Sequence, residues 1–329
     1  MKIKILFFLC TIVFVNYASD RSSFPVSFLD MCTVENQRME NQDRRSFGRL
    51  PTGIVIGVLD GHVTSEVADY VAYTFPGRFN RYLSNSSSEK EAFNKTFSDA
   101  ENYALNNLKG GSTALFAYID KKRTAHIAYV GDSRAAIGNK YHVTCATQDH
   151  TPGQKDELNR IIQAKGTVYR EITELGEPMG PWRLYGLGLS RVIGDAWHKG
   201  KKCTDQLLQL QGRTIGTNGT AKKLLLEQWP NNIVEQLVLK PAVGQVIAEP
   251  EYIRLQLTDA DHWLIIGSDG LWDVVGNEEA LAIVDEHYET HNSLEGVAAL
   301  LCDCAMERGS TDNITVLVVD LLQYAGSGK

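Results

Sequence analysis

The strongest constraint on the fold is a set of short apolar runs, rich in Ile, Val and Tyr, that each stop at a turn carrying an aspartate. Residues 53–59 stop at Asp60-Gly61, residues 125–130 at Gly131-Asp132, and residues 263–267 at Ser268-Asp269-Gly270. The run 314–319 begins just after Asp312-Asn313. Runs of this length bounded by turn residues are strands. Residues 112–119 and 125–130 flank Asp120-Lys-Lys, the pattern of a hairpin. Helical spacing of apolar residues fills the gaps at 64–75 (Thr64 or Ser65 as N-cap), 89–108, 154–164, 277–287 and 294–308. Strands come in clusters rather than alternating with helices. That predicts an α+β chain of antiparallel sheets covered by helices, not a doubly wound parallel sheet.

A net charge of -7 and the lack of a long basic run argue against a nucleic-acid binder. With 43% hydrophobic residues the 329-residue chain can bury a full core, which excludes a disordered or collagenous chain. Residues 1–19 combine a charged start (Lys2, Lys4), a short apolar run from Ile5 to Val15 and a small-residue exit at Ala18-Ser19. This is the pattern of a secretory signal peptide, too short to span a bilayer comfortably, with a mitochondrial presequence as the alternative. No later segment is apolar enough to span a membrane. Removing residues 1–19 leaves five of the six cysteines, an odd number, so no disulfide framework is forced. Asn85, Asn94 and Asn218 head possible glycan sequons; that of Asn313 precedes an apolar run and is expected to be buried. Residues 196–246, polar, then Gly/Thr-rich, then helix-like from 222 to 239, are expected to be an insertion on one core domain.

The aspartates carry the chemistry. Asp60, Asp132 and Asp269 close strands, Asp312 opens one, and Asp43 lies upstream. A single Asp-Gly is ordinarily a turn. Several acids at the ends of core strands are brought together by sheet layers, and buried unpaired carboxylates are costly. A divalent cation would relieve that cost, and oxygen ligands suit Mg²⁺ or Mn²⁺. Two such ions can activate a bridging water for in-line displacement at phosphorus. His62, two residues beyond Asp60, could protonate a leaving oxygen, and Arg38 could clamp a phosphate.

The ordered set Arg38-Met-Glu-Asn-Gln42-Asp43, Val58-Leu-Asp60-Gly61-His62, Gly110-Gly-Ser-Thr-Ala114, Gly131-Asp132-Ser-Arg134, Asp149-His150-Thr-Pro152, Ser190-Arg191-Val-Ile-Gly-Asp195, Ser268-Asp269-Gly-Leu-Trp-Asp273 and Thr311-Asp312-Asn313 resembles the metal-dependent type 2C serine/threonine protein phosphatases. The resemblance implies a four-layer α-β-β-α sandwich of two antiparallel sheets flanked by helices. It implies two Mg²⁺ or Mn²⁺ ions held by Asp60, the Gly61 carbonyl, Asp269 and Asp312, with Asp43 at or behind them. Asp132 and Asp273, with Asp269, match a third metal site. Arg38 matches the phosphate-binding arginine and His62 the general acid. Phosphoserine or phosphothreonine proteins are the implied substrates, hydrolysed without a covalent intermediate. Two departures stand out: Gln42 where the family often has Glu, and Val63-Thr64 where it often has small residues including glycine. Gln42-Asp43-Arg44-Arg45 is also similar to the pyruvate dehydrogenase phosphatases.

Three other readings are weaker. Cys302 and Arg308 have the bare spacing of a cysteine phosphatase, but no glycine lies between them, and Leu300, Leu301, Cys304 and Ala305 look like a buried helix face. A catalytically dead phosphatase fold kept as a binding module has Gln42 as its one core hint. Gly186-Leu-Gly188 reads as a turn rather than a nucleotide loop.

Overall fold

A computed structural model of the chain describes residues 27–166, 168–172, 178–199 and 244–326. The expected signal peptide, the Asn218 sequon and nearly all of the expected insertion, including its helix-like segment, lie outside the described residues. In chain order the elements are β1 (Leu29–Val34), β2 (Asp43–Leu50), β3 (Gly53–His62), α1 (Glu66–Leu83), α2 (Glu89–Asn107), β4 (Gly111–Ser112), β5 (Ala114–Asp120), β6 (Thr124–Val130), β7 (Arg134–Asn139), β8 (His142–Ala146) and α3 (Lys155–Gln163). They continue with β9 (Tyr169–Ile172), β10 (Pro178–Arg183), β11 (Ile193–Gly194), β12 (Glu251–Gln256), β13 (Trp263–Gly267), α4 (Asp269–Trp272), α5 (Asn277–His291), α6 (Val297–Glu307), β14 (Ile314–Asp320) and α7 (Leu321–Gly326).

Two antiparallel sheets stack face to face. One has the order β1-β14-β13-β7-β8; the other runs β11-β4-β3-β5-β6-β12, with β2 also paired to β3. Strand alternation explains the apolar runs. In β3, Ile54, Ile56 and Val58 point into the layer between the sheets, while Val55 and Leu59 face α1 and α2. In β14, Leu317 and Val319 face the inter-sheet layer, and Ile314, Val316 and Val318 face α5 and α6. Both faces of each central strand are therefore covered, which is why these strands read as continuous apolar runs rather than alternating ones. The result is the four-layer α-β-β-α sandwich, with the turn-borne aspartates at one edge.

Several boundaries differ from expectation. The helix expected to end at residue 75 continues through Pro76 to Leu83. Pro76 has no N–H to give the Ala72 carbonyl, and the Ser46 hydroxyl donates to that carbonyl instead at 2.7 Å. Gly48 of β2 makes room for the ring: a Cβ there would lie 2.6 Å from Pro76 Cβ. Buried Phe79 then anchors the last turns. Ser46→Ala should therefore destabilise the fold by about 1 kcal/mol, read as a lower denaturant midpoint at unchanged slope. Ser65 occupies the N-cap position, but its hydroxyl donates to Asp69 at 2.8 Å rather than capping the helix. The hairpin β5–β6 forms as expected, and the turn expected at 186–188 closes between Leu184 and Leu187.

Candidate metal and phosphate site

β2 lies along β3 with Asp43 directly opposite Asp60. Like charges facing across a strand pair repel, so this register already points to a counter-charge. β3 continues past Asp60 into Gly61 and His62, whose partners are Ser112 and Gly111 of β4. The Asp60 N–H donates to Thr113 Oγ1 at 2.9 Å, and Thr113 N–H donates back to the Asp60 carbonyl at 2.9 Å, which fixes the backbone there. Asp269 opens α4, directly after β13.

Carboxylate oxygens of Asp60, Asp132 and Asp269 all lie within 4.8 Å of one another. With Gly61, Asp312, Arg38 and His62 they line one cavity of about 220 Å³. Asp43 is buried beneath it, one oxygen accepting from Ser268 Oγ at 2.7 Å. Its other oxygen, and one oxygen of Asp269, are buried without a hydrogen-bond partner. Asp273 sits one turn after Asp269, its N–H bonded to the Asp269 carbonyl at 2.9 Å, and its charge bears on both Asp132 and Asp269. The acids expected from the sequence thus converge, except that Asp273 is exposed and does not line the cavity.

The electrostatics are those of buried carboxylates that repel one another. Burial, then Asp269, holds Asp60 well above the carboxylate range. Burial, then Asp269 and Asp149, does the same to Asp132. Burial and Asp312 push Asp269 up to about 7, and burial pushes Asp43 up to about 6 against the Ser268 hydrogen bond. The orphan oxygens and the all-oxygen donor set fit a hard divalent cation.

Two further groups, Arg38 and His62, line the same cavity. Arg38 pairs with Asp312 from a largely exposed position. Its loop is clamped by Asn313, which accepts from Gln42 N at 2.9 Å and donates to the Glu35 carbonyl at 2.8 Å. Asn313 is buried, as expected, but its use as a clamp was not legible from the sequon. His62 Nε2 contacts Asp195 Oδ2 at 2.8 Å. Burial alone would lower the His62 pKa, but the charge and hydrogen bond of Asp195 outweigh it and hold the imidazole above its ordinary value. Asp195 is itself buried, yet His62 draws it down to about 2. Sequence reasoning assigned Asp195 no role. Gly111 makes room for the pair: a Cβ at that position would lie 2.7 Å from His62 Nε2 and 2.8 Å from Asp195 Cγ.

Val63, the departure noted after His62, takes φ 69°, a left-handed backbone that is costly for a β-branched residue. Its side chain is 54% exposed, so little packing would be lost on removal. Val63→Gly should stabilise the fold by about 1 kcal/mol, seen as a higher melting temperature.

The cysteine reading is not supported by the geometry. Cys302 is fully buried on α6, and Arg308 is paired to Glu279. The buried face is Val297, Ala298, Leu301, Cys302 and Ala305; Leu300 is exposed, contrary to expectation.

The family model for protein phosphatase 2C matches residues 23–314. The chain belongs to the protein phosphatase 2C family. Among curated relatives it is 32% identical over 277 residues to "Probable protein phosphatase 2C 69" of Arabidopsis thaliana, covering 82% of this chain and 62% of that protein. It is 30% identical over 293 residues to "Probable protein phosphatase 1N" of Mus musculus, covering 86% of this chain and 61% of that one. The chain thus spans under two thirds of these two relatives' length. In fold it is similar to a serine-threonine phosphatase 2C from Toxoplasma gondii, with TM-score 0.61 and 18% identity over 91% of this chain and 96% of that one. The resemblance seen in the short motifs therefore holds over the whole described sandwich. No described helix is long and apolar enough to cross a membrane.

Proposed function

We propose that this family member is a protein serine/threonine phosphatase that hydrolyses phosphoserine and phosphothreonine side chains with Mg²⁺ or Mn²⁺ in the carboxylate cage. The observation that carries the reading is the meeting of Asp60, Asp132 and Asp269, with partnerless buried oxygens on Asp43 and Asp269, in the cavity that Arg38 and His62 also line. Asp60, the Gly61 carbonyl, Asp269 and Asp312 would hold the two core ions, and Asp132, Asp269 and Asp273 a third. Bound there, such cations lower the pKa of water enough to supply a nucleophile at neutral pH and neutralise developing charge.

The chain's own residues supply the rest. Arg38, on the cavity wall beside Asp312, would bind two phosphate oxygens and orient the ester for in-line attack. As the phosphorus–oxygen bond breaks, His62 gives its proton to the departing serine or threonine oxygen, a poor leaving group without it. Asp195 keeps that imidazole charged beforehand. Gln42, on the cavity wall, brings no charge, so cation binding should be weaker than with a glutamate there. The features of residues 1–19 support entry into the secretory pathway, with the mitochondrion as the alternative.

The test is phosphate release from a phosphothreonine peptide by protein lacking residues 1–19, with Mn²⁺ and with EDTA. Turnover with Mn²⁺ that chelation abolishes is expected. A folded protein that binds phosphopeptide stoichiometrically, with no Mn²⁺-stimulated release, would overturn the reading in favour of a binding module.

A further inference from the structure

One pair of reactive side chains takes no part in this chemistry. Cys32 of β1 and Cys302 of α6 are free thiols buried in the cluster between α5, α6 and the five-stranded sheet. Backbone register brings them together. Asp30 accepts a hydrogen bond from the Ala298 N–H at 2.9 Å. Two residues further along β1, on the same strand face, is Cys32; four residues further along α6, on the same helix face, is Cys302. Both side chains lie in the same buried cluster, close enough for each thiol to act on the other.

The pair is asymmetric. Cys32 keeps 6% of its surface exposed and Cys302 none. The Cys302 thiol, assisted by Arg45, holds Cys32 below the ordinary thiol range despite burial. Cys32, and then burial, push Cys302 well above it. Burial raises Cys145 and Cys304 as well. The more acidic thiol of the two is thus also the one that keeps some exposed surface, and it lies beside a second thiol that could resolve it.

We propose that Cys32 and Cys302 are a redox-modification site, closing to a disulfide between β1 and α6 when the protein meets hydrogen peroxide. The Cys32 thiolate attacks one peroxide oxygen and the O–O bond breaks. Hydroxide leaves and takes up the proton that Cys32 gave up, so the peroxide is reduced and Cys32 becomes a sulfenic acid. The Cys302 sulfur then attacks the Cys32 sulfur, the S–O bond breaks, and the hydroxyl departs as water with the Cys302 proton. Two thiols and one peroxide give one disulfide and two waters.

The position gives the bond a consequence. β1 runs on to the loop bearing Arg38, and α6 runs on to Asp312. Asn36 already joins these two exits by donating to the Ser310 carbonyl at 2.7 Å. The disulfide adds a covalent tie to that junction.

The test is a peptide map of the full chain after hydrogen peroxide, unfolded in alkylating reagent before digestion. A peptide joining Cys32 to Cys302, about 2 Da lighter than its two parts and split by dithiothreitol, is expected. Cys302→Ser should abolish it and Cys304→Ser should leave it. Both thiols alkylated after exposure, Cys32 carried to sulfinic acid with Cys302 still free, or Cys32 joined to another cysteine would each overturn the proposal. The wild-type map alone decides between these outcomes, and it is independent of any phosphatase assay.

Discussion

Asp60→Asn is expected to lower kcat/KM on a phosphothreonine peptide by about 10³-fold or more, with the fold intact, because it removes charge from the centre of the cation cage. The same change should make the metal-free protein more stable near neutral pH. Burial and Asp269 raise the Asp60 pKa, so the folded state holds a proton that the unfolded chain releases. The sign follows: stability is full below the ordinary carboxylate pKa of about 4 and is lost as pH rises toward the folded value. For Asp269 that loss extends to about pH 7. Asparagine has no charge to bury, so Asp60's share of the loss disappears. Melting temperatures in EDTA at pH 5 and pH 7.5 should lie closer together in the variant than in wild type. Wild-type turnover with Mn²⁺, or a variant that melts below wild type in EDTA at pH 7.5, would remove Asp60 from this role.

That opposition between activity and apo stability also explains which parts of the site were legible in sequence. Asp60, Asp132 and Asp269 follow apolar strands and Asp312 precedes one, so local pattern places all four at strand ends, and two packed sheets must gather such ends. β2 was not legible. Its Asp-Arg-Arg-Ser-Phe-Gly-Arg-Leu run carries too many charges for an apolar pattern. It is a strand because all eight residues pair with β3, a long-range fact that brings Asp43 opposite Asp60. Helix α1 shows the same limit: Pro76 reads as a stop until Ser46, on another element, satisfies the carbonyl it leaves free.

Asp195 is the clearest case. It sits after a two-residue strand with no periodicity to mark it, 133 positions from the histidine it serves. Only tertiary pairing of β11 and β3 on either side of β4 brings the two together. Its contribution can be separated from a merely structural one by changing the leaving group. His62→Gln should cost about 10²-fold in kcat on a phosphothreonine peptide. It should cost under about tenfold on an activated aryl phosphate, whose departing oxygen needs no proton. Asp195→Asn should follow the same order with smaller losses, because it weakens the hold on the His62 proton without removing the imidazole. A collapsed site would lower both substrates alike, since cations, Arg38 and attacking water serve each of them. Equal losses on the two substrates in His62→Gln would therefore rule out proton donation by His62, and equal losses in Asp195→Asn would reduce its pairing with His62 to scaffolding.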